Sequence, residues 1–302
     1  MKTYNPSLWE RGIKTALVQA RALAEAPLVG KIATLNPSES NTNVYPWIGE
    51  APIMQLLKDE LQQSQLTDAR YELTNETYAI SIAIGRDDLH DDQIGAQMMR
   101  AKEMSRVALN FANRLLTTAL TSGTSELGFD GVSYFNDSHP IRGAQTAVQD
   151  NLLAGTGATV SAIKTDIGSA IAQLMTWKAE NGEPLAGSRS RFVMMVPAAL
   201  LFAANEAVYA AIISQTSNEA FRGMSIDVMA NPRLTDANDW YLFDVSGGTL
   251  PLIYQEARAV NTEMLGPGSD HWVKHEEAII KCSWRGVAGY NHPGLAAKVV
   301  NS

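Results

Sequence analysis

The chain has 302 residues, 45% of them hydrophobic and 19% charged, which is enough apolar material for two packed units. A formal net charge of −8 with no large basic run argues against tight electrostatic binding to nucleic acid, which needs clustered Lys and Arg. Cys282 is the only cysteine, so no internal disulfide can form and a reducing compartment is expected; with no run of about 18 apolar residues and no signal-like N-terminal block, neither a membrane span nor secretion is expected.

In chain order, Leu8, Trp9, Ile13, Ala16, Leu17, Ala20, Leu23 and Ala24 recur at helical spacing before Pro27. They predict an amphipathic helix that needs a partner surface, either its own domain or a neighbouring subunit. Residues 35–46 are polar and turn-forming and read as a linker. Residues 45–84 predict a two-stranded excursion: 47–54 going out, a polar tip within 58–68, and 71–84 returning. Residues 52–65 also fit a helix, since Met54, Leu57 and Leu61 share a face.

In the returning strand Tyr78, Ile80, Ile82 and Ile84 fall on one face, and Ala79, Ser81 and Ala83 on the other. Arg86 ends the alternation. Asp87, Asp88, Asp91 and Asp92 then put negative charge at the positive end of a new helix. Ile94, Met98, Ala101, Ala108, Phe111, Ala112, Leu115 and Ala119 continue at helical spacing up to Gly123. This predicts one spine helix of about 30 residues, about 45 Å long.

Beyond the spine, residues 129–140 hold three aromatics in a turn-rich segment that should pin a loop onto it, and residues 142–158 read as a boundary. A mixed α/β unit follows, with a helix over 159–181, a strand over 191–196, a helix begun by Pro197, and strands over 226–229 and 240–245. Gly247-Gly248 closes it. Long strands return at 252–260, 271–284 and 286–290, with a last apolar run over 295–300, and are expected to complete a sheet beside the spine.

Chemistry-bearing residues are sparse. His271 and His275, with Glu276 adjacent, have a spacing that holds zinc on a helix, but the surrounding pattern reads as strand, which would set them about 13 Å apart. His90 sits among four aspartates that helix capping explains without an ion. His139 and His292 each precede a proline and read as hydrogen-bonded turn residues, and Cys282 reads as core. Gly155-Thr156-Gly157-Ala158 lacks the full dinucleotide fingerprint, and no P-loop is present.

This order of arm, hairpin, acidic helix start, spine, α/β insert and returning strands resembles the major capsid protein of tailed phages, the Hong Kong 97-type fold. Several motifs are similar to the major head subunits of Mu-like phages. They are Tyr45-Pro-Trp-Ile-Gly-Glu-Ala-Pro52, Ala83-Ile-Gly-Arg86-Asp87-Asp88-Leu89 with Asp91-Asp92, and Phe129-Asp130-Gly131 through Phe135 to His139-Pro140. Thr249-Leu-Pro251-Leu-Ile-Tyr254-Gln255, Asp270 with Trp272 and Lys274, and Trp284-Arg285-Gly286 leading to Tyr290 fit the same family.

The resemblance implies an α+β fold with an N-terminal arm (1–44), an extended loop (45–86), a peripheral domain with the spine (87–157), an axial domain (158–250) and returning peripheral strands (251–302). It implies a virion shell subunit without catalytic, cofactor or metal residues. Such subunits assemble in the host cytoplasm into pentamers and hexamers and enclose double-stranded DNA without reading its sequence. Portal, scaffold or protease, and decoration proteins are the further partners implied. A rival from another class is a cytoplasmic α/β enzyme, a hydrolase or nucleotide-binding protein built on residues 158–250, but no convergent polar cluster stands at a recognisable spacing. A phage scaffolding or decoration protein is a further rival, and the substantial β content argues against a scaffold.

Overall fold

The computed structural model describes residues 15, 28–48, 68–90, 94–140, 148–178, 185, 191–213, 216–217, 221–266 and 268–301. The predicted N-terminal helix, apart from Thr15, and the tip of the excursion lie outside the described residues, as do Asp91 and Asp92.

Strands β1 (Ala33–Pro37) and β2 (Thr42–Ile48) open the described chain. β3 (Asp68–Thr74) runs back antiparallel to β2, with Thr42 opposite Thr74 and Tyr45 opposite Tyr71. The out-and-back excursion is therefore present at its base. Its return does not continue as one hairpin strand: after Asn75 the chain enters β4 (Glu76–Gly85), which pairs elsewhere.

Helices α1 (Arg86–His90), α2 (Ile94–Leu109) and α3 (Phe111–Ser122) follow. The single spine expected here is divided at Asn110, whose ψ of −2° departs from the helical value although Asn110 N still donates to Arg106 O. Asparagine is a weak helix former whose side chain competes for backbone partners. The break separates two packing tasks. Ala101 and Met104 of α2 pack with Ile84, Ala278, Ile280 and Cys282, whereas Leu116 and Leu120 of α3 enter a larger core with Tyr134, Phe135 and Phe243.

A short pair, β5 (His139–Pro140) with β6 (Val148–Gln149), precedes β7 (Leu152–Ala154) and α4 (Val160–Thr176), which Thr159 caps by accepting from Ala162 N. Next come β8 (Arg191–Val196), α5 (Leu201–Tyr209), the short pair β9 (Ile212–Ile213) and β10 (Thr216–Ser217), then β11 (Ser225–Ala230) and β12 (Trp240–Asp244). The tail holds β13 (Leu252–Leu265), α6 (Asp270–His275), β14 (Glu277–Tyr290) and β15 (Ala296–Val300).

Two sheets carry the fold. One has the order β1-β13-β14-β4, with β1 parallel to β13 and the other pairs antiparallel. The other has the order β11-β8-β12-β15-β7. In β8 the alternation sends Phe192, Met194 and Val196 into a core with α4 and α5, and Val193 and Met195 into the core shared with α3.

Three tail expectations need correction. Residues 271–275 are helical, because Ser269 caps the turn by accepting from Trp272 N and Glu276 ends it in the left-handed conformation at φ 52°. β14 runs unbroken through Gly286, where a Cβ would stand 2.1 Å from Gln255 O, so only glycine fits between the strands. The last strand does not join the sheet beside the spine: Ala297 lies opposite Leu242 and Val299 opposite Trp240, while Lys298 pairs with Leu152 of β7. Burial of Ala297 and Val299 under α4 and α5 explains that choice.

Candidate assembly surfaces and their anchors

The base of the excursion is tied down by a buried amide network. Tyr45 Oη donates to Gln255 Oε1 at 2.7 Å, and Gln255 Nε2 donates to Asn75 Oδ1 at 2.8 Å and to Leu73 O at 3.3 Å. Asn75 Nδ2 in turn donates to Ser38 Oγ and Ser40 O, both at 2.8 Å. Gln255 is fully buried, so each bond answers a group that water cannot reach. The described part of the β2–β3 ribbon is thus fixed to the body, with Tyr71 Oη accepting from Tyr290 N and Leu73 buried.

A second anchor lies where the two sheets meet. His139 is buried, with Nδ1 2.5 Å from Asp130 Oδ2 and Nε2 3.0 Å from Asn151 Oδ1. Asn151 Nδ2 donates to Tyr134 O and Pro293 O, which fixes its Oδ1 as an acceptor for His139 Nε2 and Asn136 N. Tyr134 stacks on Tyr290 with centroids 4.4 Å apart and donates to Pro251 O at 2.9 Å. Burial pushes the phenols of Tyr134, Tyr290, Tyr254 and Tyr241 well above their ordinary range, so they stay neutral.

Arg86 ends β4 with Nη1 3.0 Å from Glu276 Oε1, linking the start of the helical spine to the turn before β14. Tyr78, Phe111 and Trp284 pack with centroids 4.7 to 5.8 Å apart, and Trp284 Nε1 donates to Glu256 Oε2. Motifs far apart in the chain thus meet in pairs, Tyr45 with Gln255 and Tyr134 with Pro251, while Asp130 and His139 close one motif on itself. Each meeting is a clamp rather than a reactive centre.

Outside these anchors, large apolar side chains stand in solvent. Met99 and Val107 project from α2, Phe202 and Tyr209 from α5, Val273 from α6 and Leu265 from the end of β13. β4 is an edge strand of its sheet, and of its apolar face only Ile84 is buried outright. An open sheet edge can pair with another chain, and exposed apolar side chains are available for a neighbour to cover. Their importance was not legible in sequence, because helical periodicity does not say which face a neighbour will cover.

Among the described residues no group of three His, Cys, Asp or Glu side chains is placed to hold a metal ion. His139 is engaged at both ring nitrogens, and His292 Nδ1 accepts from Gly294 N at 3.0 Å. Cys282 is buried in the α2 cluster with Sγ 3.3 Å from Thr262 Oγ1. The Gly155–Gly157 turn is occupied by protein, since Thr156 donates twice to Asp166 and Gly157 N donates to Asn301 Oδ1. His271 and His275, expected apart on a strand, come together on α6.

This arrangement of divided spine, long-stranded sheet, second sheet flanked by helices and two-stranded ribbon is the Hong Kong 97-type capsid fold. A chain from the capsid of bacteriophage JBD30 decorated with minor capsid protein trimers aligns with a TM-score of 0.56 at 15% identity, over 91% of this chain and 65% of that one. The chain belongs to the family of the Mu-like prophage major head subunit gpT, matched over residues 8–165. Over 120 residues it is 30% identical to the Mu-like prophage FluMu major head subunit of Haemophilus influenzae and 29% identical to the major capsid protein of Escherichia phage Mu. Each match spans 39% of this chain and 39% of the curated relative.

Proposed function

We propose that this chain is the shell-forming subunit of a phage head, closing into pentamers and hexamers around double-stranded DNA and performing no chemistry. Membership of the major head subunit family is the observation that carries the reading. The geometry supports it: a rigid body holds out a ribbon from a locked base and leaves apolar side chains and a sheet edge for neighbours. Contacts of one surface with a different surface on the next copy close into rings when the rotation permits, and one subunit able to form both five- and six-membered rings builds an icosahedral shell. The enzyme alternative on residues 158–250 draws no support from a family of head subunits.

In this reading the virion is the site of action. The four-stranded sheet with α2 and α3 forms the peripheral domain, and residues 158–250 form the axial domain, completed by β7 and β15 from outside that range. A minor capsid protein, a portal, and a scaffold or protease are the further partners.

The test is assembly. The purified chain, alone or with its scaffold, should sediment as closed particles visible by electron microscopy; monomers under every condition would overturn the proposal. Deleting residues 55–66 should leave a folded subunit that forms no stable shell, and normal shells from that deletion would remove the excursion from the assembly role.

A further inference from the structure

Two imidazoles are left unused by the anchors and clamps. His271 and His275 lie one turn apart on α6, so their side chains leave the helix on the same side. Their ring centroids are 4.6 Å apart with planes at 33°. The turn beneath them is held at both ends, by the Ser269 cap and by the left-handed Glu276, and braced by the Lys274–Asp270 ion pair at 2.7 Å. Trp272 packs its side chain against the α2 cluster and fastens the turn to the body.

One ring atom carries the argument further. His271 Nε2 is shielded from solvent and has no hydrogen-bond partner among the described residues. Buried polar atoms are almost always paired, and an orphan one calls for an occupant such as a water or an ion. Here the neighbouring group is a second imidazole, that of His275, which is exposed and open to an ion from solvent.

We propose that His271 and His275 form a bidentate site for a divalent transition ion of the Zn²⁺, Ni²⁺ or Cu²⁺ class. An ion about 2.1 Å from one nitrogen of each ring stands about 3.2 Å from each centroid. Centroids 4.6 Å apart then subtend about 90° at the ion, within the range that these ions accept. Imidazole pairs suit this class, whereas Mg²⁺ and Ca²⁺ demand oxygen ligands. No third His, Cys, Asp or Glu joins the pair among the described residues, so water fills the remaining positions and the ion exchanges freely.

The test uses the full chain without a histidine tag, titrated with Ni²⁺ by calorimetry. One ion per chain should bind, and His275→Gln should weaken it by about 10–100-fold or more, at least the loss seen when a supporting outer ligand is removed. A spacing control, Val273→His combined with His275→Gln, keeps the histidine count but places the second ring on another face of α6, and it should not restore binding. Val273 and His275 are both exposed, so the subunit should stay folded in either variant. Should a variant fail to fold, Cu²⁺ bound to the unaltered chain decides: electron paramagnetic resonance should report two equatorial imidazole nitrogens. No binding, unchanged affinity in His275→Gln, restored binding in the spacing control, or a single imidazole at copper would overturn the proposal.

Discussion

The five-stranded sheet and the outer half of the four-stranded sheet are built from similar apolar strands and end in opposite situations. Every residue of β12 is buried, and β8 is buried from Phe192 to Val196, because α4 and α5 cover one face while α3 and the 129–140 loop cover the other. In β4 only Ile84 is buried outright; Ile80 keeps 37% of its surface exposed. A sheet sealed on both faces is complete within one chain. One that ends in a half-exposed edge strand keeps unpaired main-chain groups and apolar surface that another chain can meet.

The largest effect should come from opening the sealed region. Phe192→Ala removes a fully buried ring between β8 and the α4–α5 layer and should cost about 3–5 kcal/mol, read as a lowered midpoint in urea unfolding. Ala101→Pro, at a buried position inside α2, should cost about 3 kcal/mol or more by removing a helical bond and clashing with the preceding turn. Gly286→Ala follows at about 1–3 kcal/mol, because the new methyl would meet Gln255 O and the Trp284 ring and must push β13 from β14. If Gly286→Ala were harmless, the close approach of those strands would not be a constraint.

How much of this was readable follows from which forces are local. The alternation over 78–84, the short apolar run of 191–196 and the helical period over 159–181 are local signals, and each became an element of the expected kind. The break at Asn110 was missed because its neighbours keep helical spacing on both sides, so the apolar period runs through it. α6 had a local signal, Ser269 followed by Asp270 with Lys274 four residues on, but apolar residues on both sides favoured strand. The placement of β15 depends on a contact with β12 some 55 residues earlier, which no local pattern encodes. The clamp of Tyr45 with Gln255 is equally non-local.

Alkaline titration probes the border between the two regions. Tyr78 Oη donates to Glu76 Oε2 at 2.6 Å, and burial together with that carboxylate pushes its phenol up to about 12. Its folded value lies above the ordinary value of about 10, so the neutral phenol is favoured by folding. That contribution is fully present below about pH 10 and is lost as pH rises through about 12. Tyrosinate absorbance should show this step moving downward in Glu76→Gln, where part of the cause is removed, and an unmoved step would deny the carboxylate its role.

The smallest effect on the subunit is expected at the open edge of the four-stranded sheet. Ile80 sits opposite Cys282 on β14 yet remains partly in solvent, so Ile80→Ser should change subunit stability by under about 1 kcal/mol. The same change removes apolar surface beside the open edge of the sheet, where a neighbouring copy would dock, and the yield of closed particles should fall although the melting temperature hardly moves. Separate measurement of the two quantities tests the contrast directly. An Ile80→Ser subunit as unstable as Phe192→Ala would mean that β4 belongs to a sealed core after all, and unchanged particle yield would mean that this edge meets water rather than another subunit.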